Sequence, residues 1–206
     1  RVSGGMPEAA MRMIDKDING VEKTLQNILQ DYALDFVKHA SPLLANRISH
    51  VWNSLPSQLA KENRKFVYQL VRPGARAREY ENALNWLYNA NLVKKVFRIT
   101  KPGLPISAYD DLTSFKIYMG DVGLLRKKSG LSTSAFAEQN RLFTEFKGAL
   151  CENFVLQNLS RLFDVSPRYW NDNFHEVDFI VQHENSIIPV ETKAGVNVKA
   201  TSIKYY

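Results

Sequence analysis

Three residues near the C-terminus have the types and spacing to hold a divalent cation and to neutralise charge on a phosphate: Asp178, Glu191 and Lys193. They sit in two extended, alternating runs, Glu176-Val177-Asp178-Phe179-Ile180-Val181 and Ile187-Ile188-Pro189-Val190-Glu191-Thr192-Lys193. These flank the polar four-residue loop His183-Glu184-Asn185-Ser186, which is a hairpin signal. A hairpin symmetric about Glu184-Asn185 sets Asp178 opposite Glu191 and Glu176 opposite Lys193. Val177, Phe179 and Val181 then share a core face with Ile188, Val190 and Thr192. Directly opposed side chains have Cβ atoms about 5 Å apart, so Asp178 and Glu191 repel unless a cation lies between them. Mg²⁺ or Mn²⁺ suits the pair, being a hard ion held by one or two carboxylates with waters completing its shell. Lys193 points to the same side of its strand as Glu191. Its ammonium could orient or help deprotonate a metal-bound water, or neutralise charge building on a phosphate. The plainer alternative is a Glu176–Lys193 salt bridge with the two acids splayed toward solvent.

Glu152 is the fourth candidate. The pattern from Thr144 to Phe163 predicts a long helix, apolar nearly all round after Leu150. At helical spacing the neighbours of Glu152 are Gly148, Ala149, Val155, Leu156 and Leu159, all small or apolar. A carboxylate there is met by a cation or snorkels past its neighbours to water.

The elements upstream read mainly helical. Glu8–Ile14 follows Pro7 in a short helix, and Val21, Leu25, Ile28, Leu29, Tyr32 and Phe36 recur at helical spacing to about His39. Leu44, Ile48, Val51 and Trp52 mark a helix closed by Pro56, and Leu59, Phe66, Val67 and Leu70 suggest another before Pro73-Gly74. Tyr80, Leu84 and Leu87 give a fourth amphipathic helix from about Arg76 to Asn89. The period then changes: Val93 to Ile99 and Phe115 to Tyr118 are extended, with a turn at Lys101-Pro102-Gly103. Short helices, a strand, a turn-rich loop and a strand follow the order of a winged helix-turn-helix. The helix from Arg76 is then the recognition helix and Lys101–Asp111 the wing. Lys61, Arg64, Lys65, Arg72, Arg76 and Arg78 cluster near the start of that helix, opposed only by Glu62. Such clustering neutralises DNA phosphates and releases their counterions, with Arg76 and Arg78 the sharpest candidates; the alternative is a solvated basic face.

Composition bounds these readings. The 206 residues are 45% hydrophobic and 23% charged with a net charge of +6, which excludes a wholly disordered chain. Residues 1–130 hold 20 basic against 12 acidic residues, a net of +8; residues 131–206 hold 7 against 9, a net of −2. The break falls at the small-residue stretch Lys127–Ser134. This predicts a helical segment over 1–40, a winged helix over 41–130 and a second module over 131–206. No apolar run approaches the roughly 20 residues of a bilayer crossing. One cysteine, Cys151, cannot form an internal disulfide or a thiolate zinc site, which suits a reducing cytoplasm; on its apolar helix it reads as a packing residue. His39, His50, His175 and His183 lack metal-ligand spacing, and His175 reads as a surface residue or as one lining the site. The start at Arg1 predicts a piece of a longer protein.

Glu152 on a helix, Asp178 on a strand, then Glu191-Thr192-Lys193 resembles the PD-(D/E)xK nuclease superfamily, with Val177 in place of the proline. The whole chain resembles the C-terminal part of a family of prokaryotic AAA-type ATP-binding proteins. The stretches that carry this are Gly4-Gly5-Met6-Pro7-Glu8, Asp35–His39, Gln58–Asn63, Phe115–Tyr118, Asp121-Val122-Gly123-Leu124-Leu125, Gly148–Asn153, Glu176–Phe179 and Glu191–Gly195. The resemblance implies an α+β chain, a winged helix followed by a restriction-endonuclease-like α/β domain that is incomplete at Tyr206. It implies Glu152, Asp178 and Glu191 as metal-facing carboxylates and Lys193 as the catalytic lysine. It also implies an ATPase domain upstream that binds ATP, since this chain has no Gly-x-x-x-x-Gly-Lys-Ser/Thr. Three functions compete: a Mg-dependent DNA endonuclease, a non-catalytic DNA-binding regulatory module, and a structural half that packs against an ATPase and oligomerises it.

Overall fold

The computed structural model describes residues 3–61, 65–133, 144–172 and 174–194. Helices α1 (Pro7–Ile14), α2 (Ile18–His39), α3 (Pro42–Leu59) and α4 (Ala77–Asn89) come first. Strands β1 (Val93–Ile99) and β2 (Asp110–Met119) follow, then α5 (Val122–Lys128), α6 (Thr144–Leu162) and strands β3 (Arg168–Asn171), β4 (Glu176–His183) and β5 (Ser186–Val190). The chain is therefore α+β, with its five strands in one mixed sheet ordered β2-β1-β3-β4-β5. β1 and β2 run antiparallel; β1 meets β3 in parallel through Arg98 and Tyr169, so one sheet crosses the small-residue break. A second tie reinforces this join: the Arg168 guanidinium grips the Asp110 carboxylate with two bonds of 2.6 and 2.8 Å.

The main core is built from the inner faces of α2, α3, α4 and α6 against β1, β2 and β4. Phe36 sits between Trp52 and Trp86 in edge-to-face contacts at 5.8 and 5.5 Å. A smaller cluster of Ile99, Ile106, Val177 and Ile180 lies apart from it.

Three expectations change. Pro56 does not close its helix: α3 continues to Leu59, and the Ala60 N–H reaches the Pro56 carbonyl at 2.9 Å. Proline removes one donor but leaves its own carbonyl available, so one further turn forms. Where a helix was expected over Leu59–Leu70, Leu59 ends α3, Lys65 bridges to Lys116, and Tyr68–Leu70 form a 3₁₀ turn. The buried Gln58 amide imposes this, bonding the Val67 carbonyl at 2.8 Å and the Val67 N–H at 3.0 Å as a neighbouring strand would. Phe66 then stacks on Phe115 at 5.6 Å. Finally, β2 begins at Asp110, so the expected wing loop ends earlier than Asp111.

Asp121 organises the centre. Its carboxylate, 1% exposed, accepts the Gly5 N–H at 2.6 Å, the Leu124 N–H at 3.0 Å as the cap of α5, and the Gln157 amide of α6 at 3.0 Å. Gly4 takes a positive φ of 67°, and a Cβ there would run into that carboxylate. A Cβ on Gly123 would meet the Ser3 backbone. Asp121→Ala strands three donors and is expected to cost about 3 kcal/mol in urea unfolding, with Asp121→Asn costing less.

At the C-terminal end of α5 the Lys128 ammonium lies 4.9 Å from the Trp52 ring centre and 3.0 Å from the Asn53 amide oxygen. Burial there lowers its pKa from 10.5 to about 8. The unfolded chain holds this proton more tightly, so its contribution to stability rises as pH increases from about 8 to 10.5 and is least favourable below 8. Lys128→Met should flatten the rise in melting temperature over that window.

Candidate active site

The β4–β5 hairpin has the expected register, with Phe179 facing Val190, Ile180 facing Pro189 and Val181 facing Ile188. Its connection is tighter than expected: His183 pairs with Ser186, leaving only Glu184-Asn185 as the turn, with φ of 51° at Glu184. On the other edge of β4 the register slips, since Arg168 faces Ile180 while Trp170 faces Val177. β4 thus carries one extra residue between these pairs, a bulge spanning Asp178 and Phe179. The bulge overturns the expected shared face: Val177 joins Ile180 in the small cluster, whereas Phe179 and Val181 enter the main core with Val190.

The ladder ends at Val190, and Glu191-Thr192-Lys193 leaves the strand to close over the bulge. Asp178 Oδ2 accepts the Thr192 N–H at 2.7 Å and the Thr192 hydroxyl at 2.8 Å. Lys193 Nζ lies 2.6 Å from Glu191 Oε1; the lysine side chain is 39% exposed and the glutamate 9%. Glu191 Oε2 is buried with no hydrogen-bond partner. An anionic oxygen out of water without a donor is costly, and a cation would remove the cost.

The alternative, a Glu176–Lys193 bridge, does not form among the described residues. Glu176 pairs instead with Lys116 of β2, which is fully buried and holds its ammonium 4.8 Å from the Tyr169 ring centre. Burial pushes the Tyr169 phenol up, against the pull of its 2.9 Å bond to Ser114. Glu152 does not snorkel: it is 5% exposed, and its Oε2 accepts the Tyr118 hydroxyl at 3.0 Å. Next to it Asn153 bonds the Met119 N–H at 2.9 Å and carbonyl at 3.0 Å. Cys151 is buried, as a packing residue should be, with Sγ 3.8 Å from the Lys193 carbonyl oxygen. His175 is partly buried and faces Asp172 at 3.4 Å. Lys116, Tyr118 and Thr192 are the residues that sequence reasoning missed. A lysine flanked by Phe115 and Ile117 within a strand was the available signal.

The donor set suits a hard cation at Asp178 and Glu191, and the orphaned Glu191 Oε2 is the observation that fits it. Among the described residues no group of three or more His, Cys, Asp or Glu is placed to hold a metal.

The basic residues lie at the other end of the chain's first part. Arg72, Arg76 and Arg78 are exposed around the start of α4, where Arg76 is the N-cap and its N–H reaches Glu79 Oε2 at 3.0 Å. Lys65 is exposed at its bridge to β2, and Arg64 falls outside the described residues. Among the described residues no helix is long and apolar enough to cross a membrane.

Comparison with known families finds a model described as a domain of unknown function, DUF8612, matching residues 2–135, and a second, DUF4143, matching residues 147–206. No curated protein matches, and no solved structure does.

Removing Lys116 alone leaves Glu176 without its partner. Lys116→Met is expected to lower the urea midpoint by the equivalent of about 3 kcal/mol, the scale of a broken buried pair. Adding Glu176→Gln should restore part of the loss, and the double-mutant cycle measures that coupling.

Proposed function

The chain belongs to the DUF8612 family, and we propose that it is the DNA-directed, metal-dependent phosphodiester hydrolase part of an ATPase-linked protein. The observation that carries this reading is the buried, partnerless Glu191 Oε2 beside Lys193 and Asp178. Asp178 and Glu191 would hold Mg²⁺ or Mn²⁺, which would supply a water of lowered pKa as the nucleophile. Thr192 fixes Asp178 by two bonds to Oδ2, leaving Oδ1 for the cation. Lys193, the more exposed of its pair, neutralises charge on the phosphate as it builds. Glu152 acts from the adjoining helix through its place beside Tyr118.

The first part delivers the duplex. α3, the Lys65 bridge, the 3₁₀ turn, α4, β1 and β2 follow the order of a winged helix-turn-helix, which supports α4 as recognition helix and the β1–β2 connection as wing. Arg72, Arg76 and Arg78, with Lys65 and Arg64, supply phosphate and base-edge contacts. The link to an ATPase rests on the resemblance and on the company DUF4143 keeps, typically AAA-type ATPases; ATP itself would bind outside this chain.

A second reading, a non-catalytic DNA-binding module, is favoured by one observation: both Glu152 Oε2 and Asp178 Oδ2 are already engaged within the chain. Incubation with plasmid and oligonucleotide DNA in Mg²⁺ or Mn²⁺ separates the two. Cleavage that is lost in Asp178→Ala and in Lys193→Ala supports the hydrolase; cleavage that survives both changes sinks the site. Salt-dependent binding without cleavage under any metal leaves the second reading. Either way, Arg76→Ala should lower the slope of log affinity against log salt by about 0.9.

A further inference from the structure

A cavity of about 260 Å³ opens between α3 and the turn that enters α4, away from the carboxylates. Arg47 and His50 line it from α3, Arg72 from the turn, and Tyr80 from α4. Arg47 is half-buried and Arg72 exposed, and among the described residues neither makes an ion pair. The one acid on its wall, Glu79, accepts the Arg76 N–H through Oε2 and keeps its charge. His50 engages the Tyr80 hydroxyl through Nδ1 at 3.2 Å, which leaves Nε2 as the ring's remaining polar atom. Two guanidiniums around one concavity face a single carboxylate, and an anion relieves the positive charge left over. The planar fork of arginine matches pairs of phosphate oxygens. The volume lies just below the roughly 300–1,000 Å³ of a drug-sized pocket, so a phosphoryl group with its first waters has room.

We propose that this cavity is a phosphate-binding site in which Arg47 and Arg72 each grip phosphate oxygens and His50 donates from Nε2. The inference deepens the DNA-contact half of the reading above and is independent of the hydrolytic half. The phosphate is either a backbone phosphate of bound nucleic acid or the phosphoryl group of a free small ligand. The test is calorimetric titration of the whole chain, without metal, using inorganic phosphate and then a short DNA duplex. Arg47→Ala and Arg72→Ala should each weaken phosphate binding about tenfold or more. Arg47→Lys, which keeps charge and stem but loses the fork, should weaken it less. Lys38→Ala, an exposed lysine on α2, serves as the surface-charge control. Duplex affinity falling in step with phosphate affinity identifies the nucleic-acid backbone as the source. Phosphate binding that depends on Arg47 and Arg72 while duplex affinity stays constant identifies a free phosphoryl ligand. Absence of phosphate binding, or binding unchanged in all three arginine variants, overturns the site. No DNA cleavage in the Mg²⁺ or Mn²⁺ assay described above, with phosphate binding intact, counts against the hydrolase alone.

Discussion

The structure depends on a buried carboxylate that three separate segments compete to satisfy. Asp121 gathers a backbone donor from the N-terminal glycines, one from its own helix and an amide from α6. Such a group is tolerated only when its hydrogen bonds are made, so the three segments are tied to one point. The consequences run along α6. Gln157 is held at Asp121, Asn153 at Met119 and Glu152 at Tyr118, so the helix lies along β2 and α5 in one register. With that register set, Cys151 falls beneath the Lys193 backbone. A constraint at the N-terminus thereby reaches the end of the candidate site.

How much of this could be read from the chain depends on how local its cause is. The hairpin was legible because alternation and a polar centre specify a register by themselves. The amphipathic helices α2 and α4 were legible for the same reason. The bulge at Asp178 was not, because its cause is the pairing of β4 with β3, whose partner residues lie in a different run of sequence. Helical spacing misled over Leu59–Leu70, since the amide of Gln58 claims Val67 through a contact that periodicity does not encode. The candidate carboxylates were found by type and spacing. Tyr118, which meets Glu152, and Lys116, which meets Glu176, come from a strand far upstream and were visible only as polar residues in an apolar run.

The local electrostatics of the two acids differ. Glu191 shares one oxygen with Lys193 and leaves the other unsatisfied, whereas Asp178 has one oxygen fully engaged by Thr192. The pair is therefore asymmetric: one acid is positioned and the other is short of positive charge. Glu176, which sequence placed beside Lys193, is neutralised by Lys116 and is removed from that contest. This leaves Lys193 tied to the site's own carboxylate.

The parallel join between β1 and β3, with the Arg168–Asp110 clasp beside it, also has a mechanical side. Beads on a string could swing apart and meet a long ligand at any separation. Strands hydrogen-bonded into one sheet cannot, because turning one against the other breaks the ladder. The outer strands β2 and β5 are then held apart by a distance that strand spacing sets.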